Sequence, residues 1–321
     1  MRLLGRVRYA EVWWAPLLLA LVLTGFGLAF VISATSDPLT GGWGREARLQ
    51  VVWLMAGLAA CLAALHVPLA TWRATAPAWY GVMLVVHLAM IVLAGSALVP
   101  VIKGASNWIA IGSMRLQPSE FTKLAVLLVC ARILAAPRGE REPVPLMPVL
   151  AAAAVPSALI AKEDLGSALT IPPMVAGLLY LAGARLRHLA VLAGLGVAAI
   201  GGLVALLPRD SYQWKRLLAW WDPESFALTE GYQTIRALRA VGSGQWTGKG
   251  WGLGDQNLLG WLPEKHTDMI FAVVGEETGL VGSLLALGCF LAFGWGMLHT
   301  ATACRDPYGR LVVGGFACLV M

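Results

Sequence analysis

The chain has 321 residues, 58% of them hydrophobic and 13% charged, with a mean hydropathy of +0.72. Soluble domains carry roughly 25% charged residues, so a water-soluble enzyme is excluded and one polytopic membrane domain over 1–321 is expected. The net charge of +6 comes without a basic run or a basic-aromatic stripe, which argues against nucleic acid and for basic residues in short cytoplasmic loops.

Arg2, Arg6 and Arg8 precede the first apolar run. No small-residue cleavage pattern closes that run, so it reads as a retained span rather than a signal peptide. Runs of about 20 apolar residues suit a membrane helix. They are predicted at 16–34, 49–67, 78–100, 121–136, 146–161, 165–183, 189–207 and 269–303, which makes eight full spans. A ninth begins at Leu311 and stops at Met321. At 1.5 Å per residue that piece is roughly 16 Å long, too short to cross, so the end of the fold is expected to lie beyond 321. Basic residues in short loops, among them Arg73, Arg132, Arg185 and Arg305, place the N-terminus inside and the segment 208–267 outside. The fifth span ends at Lys162-Glu163-Asp164 and the sixth carries Pro172-Pro173, so both are predicted to be broken or tilted. The five cysteines show no CxxC spacing, and neither a disulfide framework nor a zinc site is indicated.

The outer segment 208–267 holds six of the fourteen tryptophans, which fit the headgroup layer. Within it 230–241 reads as a short amphipathic helix stopped by Gly242-Ser243-Gly244. The alternating glycines of Gly248-Lys249-Gly250-Trp251-Gly252 could form a backbone nest for phosphate, but a nucleotide P-loop is rejected because Ser243 and Gly250 stand where it needs Gly and Ser or Thr.

Ionisable groups at the ends of spans are costly and therefore informative. Glu120 and Lys123, three apart at a helix start, are an expected ion pair. Asp164 closes the fifth span, and Asp268 stands at the entrance to the eighth, where capping the helix is the plain alternative to chemistry. Glu276 and Glu277, beside the GxxxG pair Gly275 and Gly279, read as buried glue between closely packed helices.

Taken together, Trp108-Ile109 after Lys103-Gly104-Ala105, then Gln117-Pro118-Ser119-Glu120 with Lys123, Glu163-Asp164-Leu165-Gly166, Gly231-Tyr232-Gln233, Gly242-Ser243-Gly244 and Leu262-Pro263-Glu264-Lys265-His266-Thr267-Asp268 resemble the SEDS family of RodA/FtsW-type peptidoglycan glycosyltransferases. The resemblance covers essentially the whole chain. It implies an all-α transmembrane bundle of about ten spans in the bacterial cytoplasmic membrane that polymerises lipid II on its outer side, with undecaprenyl pyrophosphate leaving. Asp268 would be the general base on the acceptor GlcNAc 4-hydroxyl. Glu120, Lys123, Asp164, Trp108, Gln233, Arg236, Arg239, Lys249, Glu264 and His266 would contact substrate, and Lys123, Arg216, Arg236, Arg239 and Lys249 are the cations on offer to the pyrophosphate. The partners implied are undecaprenyl-linked glycan, membrane lipids and a class B penicillin-binding transpeptidase. A divalent cation is left open, since no DxD pair occurs in the outer segments and Asp222-Pro223-Glu224 is the nearest approach. A lipid II flippase and a non-catalytic scaffold for cell-wall synthases are the competing readings. Between the elongation and division branches the matching residues do not choose, and the reading leans to elongation.

Overall fold

The computed structural model describes residues 14–36, 42–102, 106–112, 114–137, 139, 142–206, 208–209, 212–229 and 231–321, with the backbone alone at 200, 203, 212, 213, 216 and 257. The basic N-terminus, the Lys103-Gly104-Ala105 motif, Glu230 and the side chain of Arg216 lie outside that description. Among the described residues thirteen α-helices carry almost all of the regular structure, beside one antiparallel hairpin of β1 (Ile109–Ile111) and β2 (Met114–Leu116). Five helices among the described residues are long and apolar enough to span a bilayer: α1 (Ala15–Thr35), α2 (Arg45–Leu65), α3 (Leu69–Leu93), α8 (Leu186–Leu206) and α12 (Ile270–Ala303). In α2 and α8 almost no side chain is buried, as expected of rods whose apolar surface faces lipid.

The remaining expected spans are shorter. Helices α4 (Pro118–Leu134) and α5 (Leu146–Ala161) have 17 and 16 residues. The sixth is broken at Thr170 into α6 (Leu165–Leu169) and α7 (Ile171–Leu181), because Pro172 and Pro173 bring no N–H to the preceding turn. Helix α13 (Pro307–Val320) is the ninth. The third span begins nine residues earlier than hydropathy placed it, straight after Pro68, and tolerates Pro77 within it. Its expected last turns instead fold back through a bridge between Ala94 and Val99, with Gly95 at φ +86°.

Contacts group the chain into two compact units. In the first (Ala64–Ala193 with Gly294–Met321), a core of Val126, Leu127, Cys130, Met174, Leu178 and Tyr308 joins α4, α5, α7 and α13. Gly314 and Gly315 of α13 lie against Leu181, Leu127 and Leu178 with no room for a side chain, the close approach that drives helix pairing in lipid.

The second unit (Trp14–Ala63 with Gly194–Phe293) holds the outer segment's helices α9 (Tyr212–Trp221), α10 (Tyr232–Gly244) and α11 (Asp255–Leu258). Helix α10 runs through the glycines expected to stop it and ends at Gln245, whose φ of +49° turns the chain. Gly244 is instead a contact point: any side chain there would strike the carbonyl of Gly275 in α12.

Helix α12 is not continuous. Gly279 sits at φ +66°, ψ −161°, and the segment following α10 inserts its backbone into the break. The amides of Lys249 and Gly250 donate to the carbonyls of Glu276 and Glu277 at 3.0 and 2.9 Å, while those of Leu280 and Val281 donate to Gln245 and Trp246 at 2.8 and 3.1 Å. Gly279 is thus the hinge of a helix break, not one half of a GxxxG face, whereas Gly275 does pack against Val241 of α10.

Gly279 and Gly252, two of the left-handed glycines of the second unit, make a controlled comparison. At Gly279 a side chain would meet the backbone of Trp246, Thr247 and Gly248, so Gly279→Ala is expected to cost about 3 kcal/mol from strain and overlap together. Gly252, at φ +74° with open space around it, should cost only about 1 kcal/mol on the same change. Denaturation midpoints of the two purified variants check the difference.

Candidate active site

In the second unit, Asp268 belongs to a run of turns, 259–269, that leads into α12. Both ends of the run are anchored. Leu262, 2% exposed, and Met269 join Phe30 of α1, Ala240 of α10 and Val273 of α12 in one apolar cluster. Glu264, at φ +49°, is held in a conformation uncommon for a non-glycine residue, and its carbonyl accepts from the amides of Thr267 and Met269, both at 3.1 Å. Between these anchors Asp268 is exposed, and among the described residues nothing pairs with its carboxylate. It does not cap α12, which starts two residues later. His266 and Lys265 are half-buried beside it in sequence. Burial holds the Lys265 ammonium below the usual lysine range, against the pull of Glu277.

The other outer-segment candidates divide. Arg236 lies 5.1 Å from the ring centres of both Tyr232 and Trp261, two cation–π contacts that hold its planar head. Arg239 is exposed and Gln233 half-buried. Lys249 is already committed: its Nζ lies 2.8 Å from Asp255 Oδ2 and 2.8 Å from Oε1 of Glu276, which is wholly buried. Desolvation opposes the Lys249 charge, but those two carboxylates hold its pKa above the usual value. The expected phosphate nest is not present, because the Lys249 and Gly250 amides are spent on α12 carbonyls. Glycines here allow backbone to approach backbone.

Sequence reasoning assigned no partner to the buried acids, and the structure supplies several. Glu276 Oε1 also accepts from the Gln256 amide at 3.1 Å and from Ser243 Oγ at 3.3 Å, and Glu277 accepts from Ser33 Oγ of α1. Two acids inside an apolar run demanded such partners, and a lone serine in the first span was the available hint.

In the first unit, Asp164 caps α6. Its Oδ1 accepts from the Ser167 amide at 3.0 Å, and its Oδ2 from Ser167 Oγ at 2.7 Å, Gln117 Nε2 at 3.1 Å and Asn107 Nδ2 at 3.4 Å. Partial burial pushes its pKa up, but the hydrogen bonds from Ser167, Asn107 and Gly166 win and hold it below the ordinary aspartate value. Glu163 beside it accepts from the Ser106 amide at 2.9 Å. The expected Glu120–Lys123 pair forms at 2.8 Å; Lys123 is largely buried, with 12% of its side chain exposed, whereas Glu120 is open. Trp108 is half-buried at the entry to β1.

Two chemical capacities follow. An exposed, unpaired carboxylate on an anchored turn can take a proton from a hydroxyl brought within about 3 Å. A saturated carboxylate such as Asp164 is suited to holding geometry. Among the described residues no group of three or more His, Cys, Asp or Glu side chains is placed to hold a metal, and Asp222 is occupied by Ser225, so no step is assigned to a divalent ion.

Apolar helices long enough to cross a bilayer, with ionisable groups at their ends, define a multi-pass membrane protein. The chain belongs to the FtsW/RodA/SpoVE family of cell cycle proteins, whose family model matches residues 14–321. It is 32% identical to a probable peptidoglycan glycosyltransferase FtsW of Trichlorobacter lovleyi, over 97% of this chain and 82% of that one. It is 35% identical to its counterpart in Halorhodospira halophila, over 90% and 73%. A solved structure of a peptidoglycan synthase complex that coordinates polymerization and crosslinking superposes with a TM-score of 0.75 at 26% identity, covering 96% of this chain and 84% of that one.

Two stability tests separate these clusters. Asp164→Asn should cost about 1 kcal/mol at pH 7 through the weakened cap. Because the folded pKa is depressed, that contribution is present above the unfolded value near 4 and is lost as pH falls through the lower folded value. The gap between native and variant midpoints should therefore close in acid. Lys249→Met leaves Glu276 buried without its cation and should cost about 3 kcal/mol, with part recovered by adding Glu276→Gln; thermal unfolding of the three proteins measures it.

Proposed function

We propose that this chain is a peptidoglycan glycosyltransferase of the bacterial cytoplasmic membrane, N-terminus inside, that joins lipid II into glycan strands on the outer side. The observation that carries the reading is Asp268, an exposed carboxylate without a partner among the described residues, on a turn anchored at both ends. In the reaction the GlcNAc 4-hydroxyl oxygen of lipid II attacks the anomeric carbon of the donor sugar. That carbon's bond to the pyrophosphate oxygen breaks, and the electron pair leaves with undecaprenyl pyrophosphate. The hydroxyl proton passes to Asp268, which must be ionised at the start and reach to about 3 Å.

The pyrophosphate gathers negative charge as it leaves and calls for preorganised cations. Lys123, kept in place by Glu120, is assigned to that role, with Arg236 and Arg239 as the outer segment's contribution. Lys249 is assigned to folding instead, since a phosphate would have to displace two carboxylates from it. Gln233, Trp108, Glu264 and His266 are assigned to sugar and headgroup contacts, and Asp164 to shaping the site.

The curated relatives carry the name FtsW, which favours the division branch over the elongation branch. The partner proposed is a class B penicillin-binding transpeptidase that cross-links the new strand, in line with the synthase complex found among solved structures.

Purified native protein and Asp268→Asn, each with its transpeptidase, are to be compared for glycan formation from lipid II. A general base contributes about 10²- to 10⁴-fold, so the variant should lose at least about 100-fold in rate while its unfolding midpoint and partner binding stay at the native level. An Asp268→Asn protein that polymerises normally would favour the flippase or scaffold reading.

A further inference from the structure

Within the first unit a small cavity lies between α3, the approach to β1, the start of α4 and the Glu163–Asp164 corner. Its polar lining is His87, Asn107, Ser119, Glu163 and Asp164, and Met90 is among its apolar walls. The volume is about 10 Å³, close to the least that holds one water molecule and too little for anything larger than a single small ion. Ser119 is 3% exposed, and among the described residues its hydroxyl has no hydrogen-bond partner. A buried hydroxyl left unpaired is destabilising, and such groups in folded proteins are commonly satisfied by ordered water.

The other polar groups of the wall fix what can fill the gap. His87 Nε2 is taken up by Thr122 Oγ1 at 2.9 Å, and Thr122 in turn donates to the Pro118 carbonyl. The Asp164 oxygens already receive four donors. Glu163 uses Oε2 for the Ser106 amide, and among the described residues Oε1 has no partner. The cavity lining therefore includes a hydroxyl able to donate and carboxylate oxygens able to accept. A metal cation fits poorly, because the amide hydrogens of Asn107 and Gln117 already point at the Asp164 oxygen it would need.

We infer that this cavity is a binding site for one structural water, which accepts from Ser119 Oγ and donates to the carboxylate corner at Glu163. The water ties the first turn of α4 to the Glu163–Asp164 corner, so Ser119 acts as a positioning residue for that corner. That corner holds Asp164, assigned above to shaping the site, but the test below reads bound water and stability and does not depend on that assignment.

X-ray radiolytic footprinting of the full-length protein in detergent tests it, because radicals formed from a bound water oxidise the nearest reactive side chain. Met90 is 5% exposed and hidden from bulk radicals, yet it lines the cavity. Native protein should show Met90 sulfoxide well above the level its burial allows, and Ser119→Ala should lower that yield several-fold. Ser119→Ala should also lower the unfolding midpoint by about 2–4 °C, since the water loses a partner. No Met90 oxidation in native protein, or a Ser119→Ala midpoint equal to or above native, would overturn the inference. So would a native midpoint that rises specifically with sodium or potassium against choline, which would mark a cation in place of water.

Discussion

The break in α12 at Gly279, and the backbone that fills it, is the constraint on which the second unit is built. Inside a membrane protein a helix can stop donating to itself only where other groups take over its amides and carbonyls, each unsatisfied group being worth several kcal/mol. Here Gln245 to Gly250 supply two carbonyls and two amides to the broken turn. The exchange needs backbone against backbone, which explains why Gly244, Gly248 and Gly279 all lack room for a side chain. Helix α10 is thereby fixed against α12, and the cluster of Ala240, Leu262 and Val273 seats the turn that presents Asp268.

The buried acids belong to the same construction. Glu276 and Glu277 lie on the last turn before the break, and both are withdrawn from solvent. A carboxylate buried alone would be strongly destabilising, and Lys249 with the Gln256 amide and Ser243 answers that need for Glu276. Breaking one member leaves the rest exposed to the full desolvation cost. The polar network is thus better understood as the fastening of the outer segment than as a second reacting centre. In the first unit Asp164 does comparable work with neutral donors, joining α6 to Gln117 and Asn107.

Hydropathy located the spans well because each apolar helix satisfies its own backbone and needs only length and composition to be recognised. Pro172-Pro173 announced the broken sixth span for the same local reason. The limits of α3 were misplaced because Pro77 and Arg73 look like a boundary, whereas helix and bilayer accommodate both. The α12 break had no sequence signature of its own, since its partner amides come from Lys249 and Gly250, about thirty residues earlier, and backbone pairing leaves no mark on side-chain pattern. Glycine spacing was ambiguous in the same way: Gly248 and Gly250 could cradle a phosphate or admit a carbonyl, and only the fold chose. Asp164 was legible as an acid at a helix end, but its donors Gln117 and Asn107 stand 47 and 57 residues away. Asp268 owed its prominence to the family motif more than to any property of the isolated position.

A carboxylate acting as a base is defined by its proton affinity rather than by its tether, and chemical rescue isolates that property. Asp268→Ala should polymerise lipid II at a small fraction of the native rate and regain activity as formate is added, while the native enzyme shows no such gain. An Asp268→Ala protein with the native rate in the absence of formate would contradict the assignment outright.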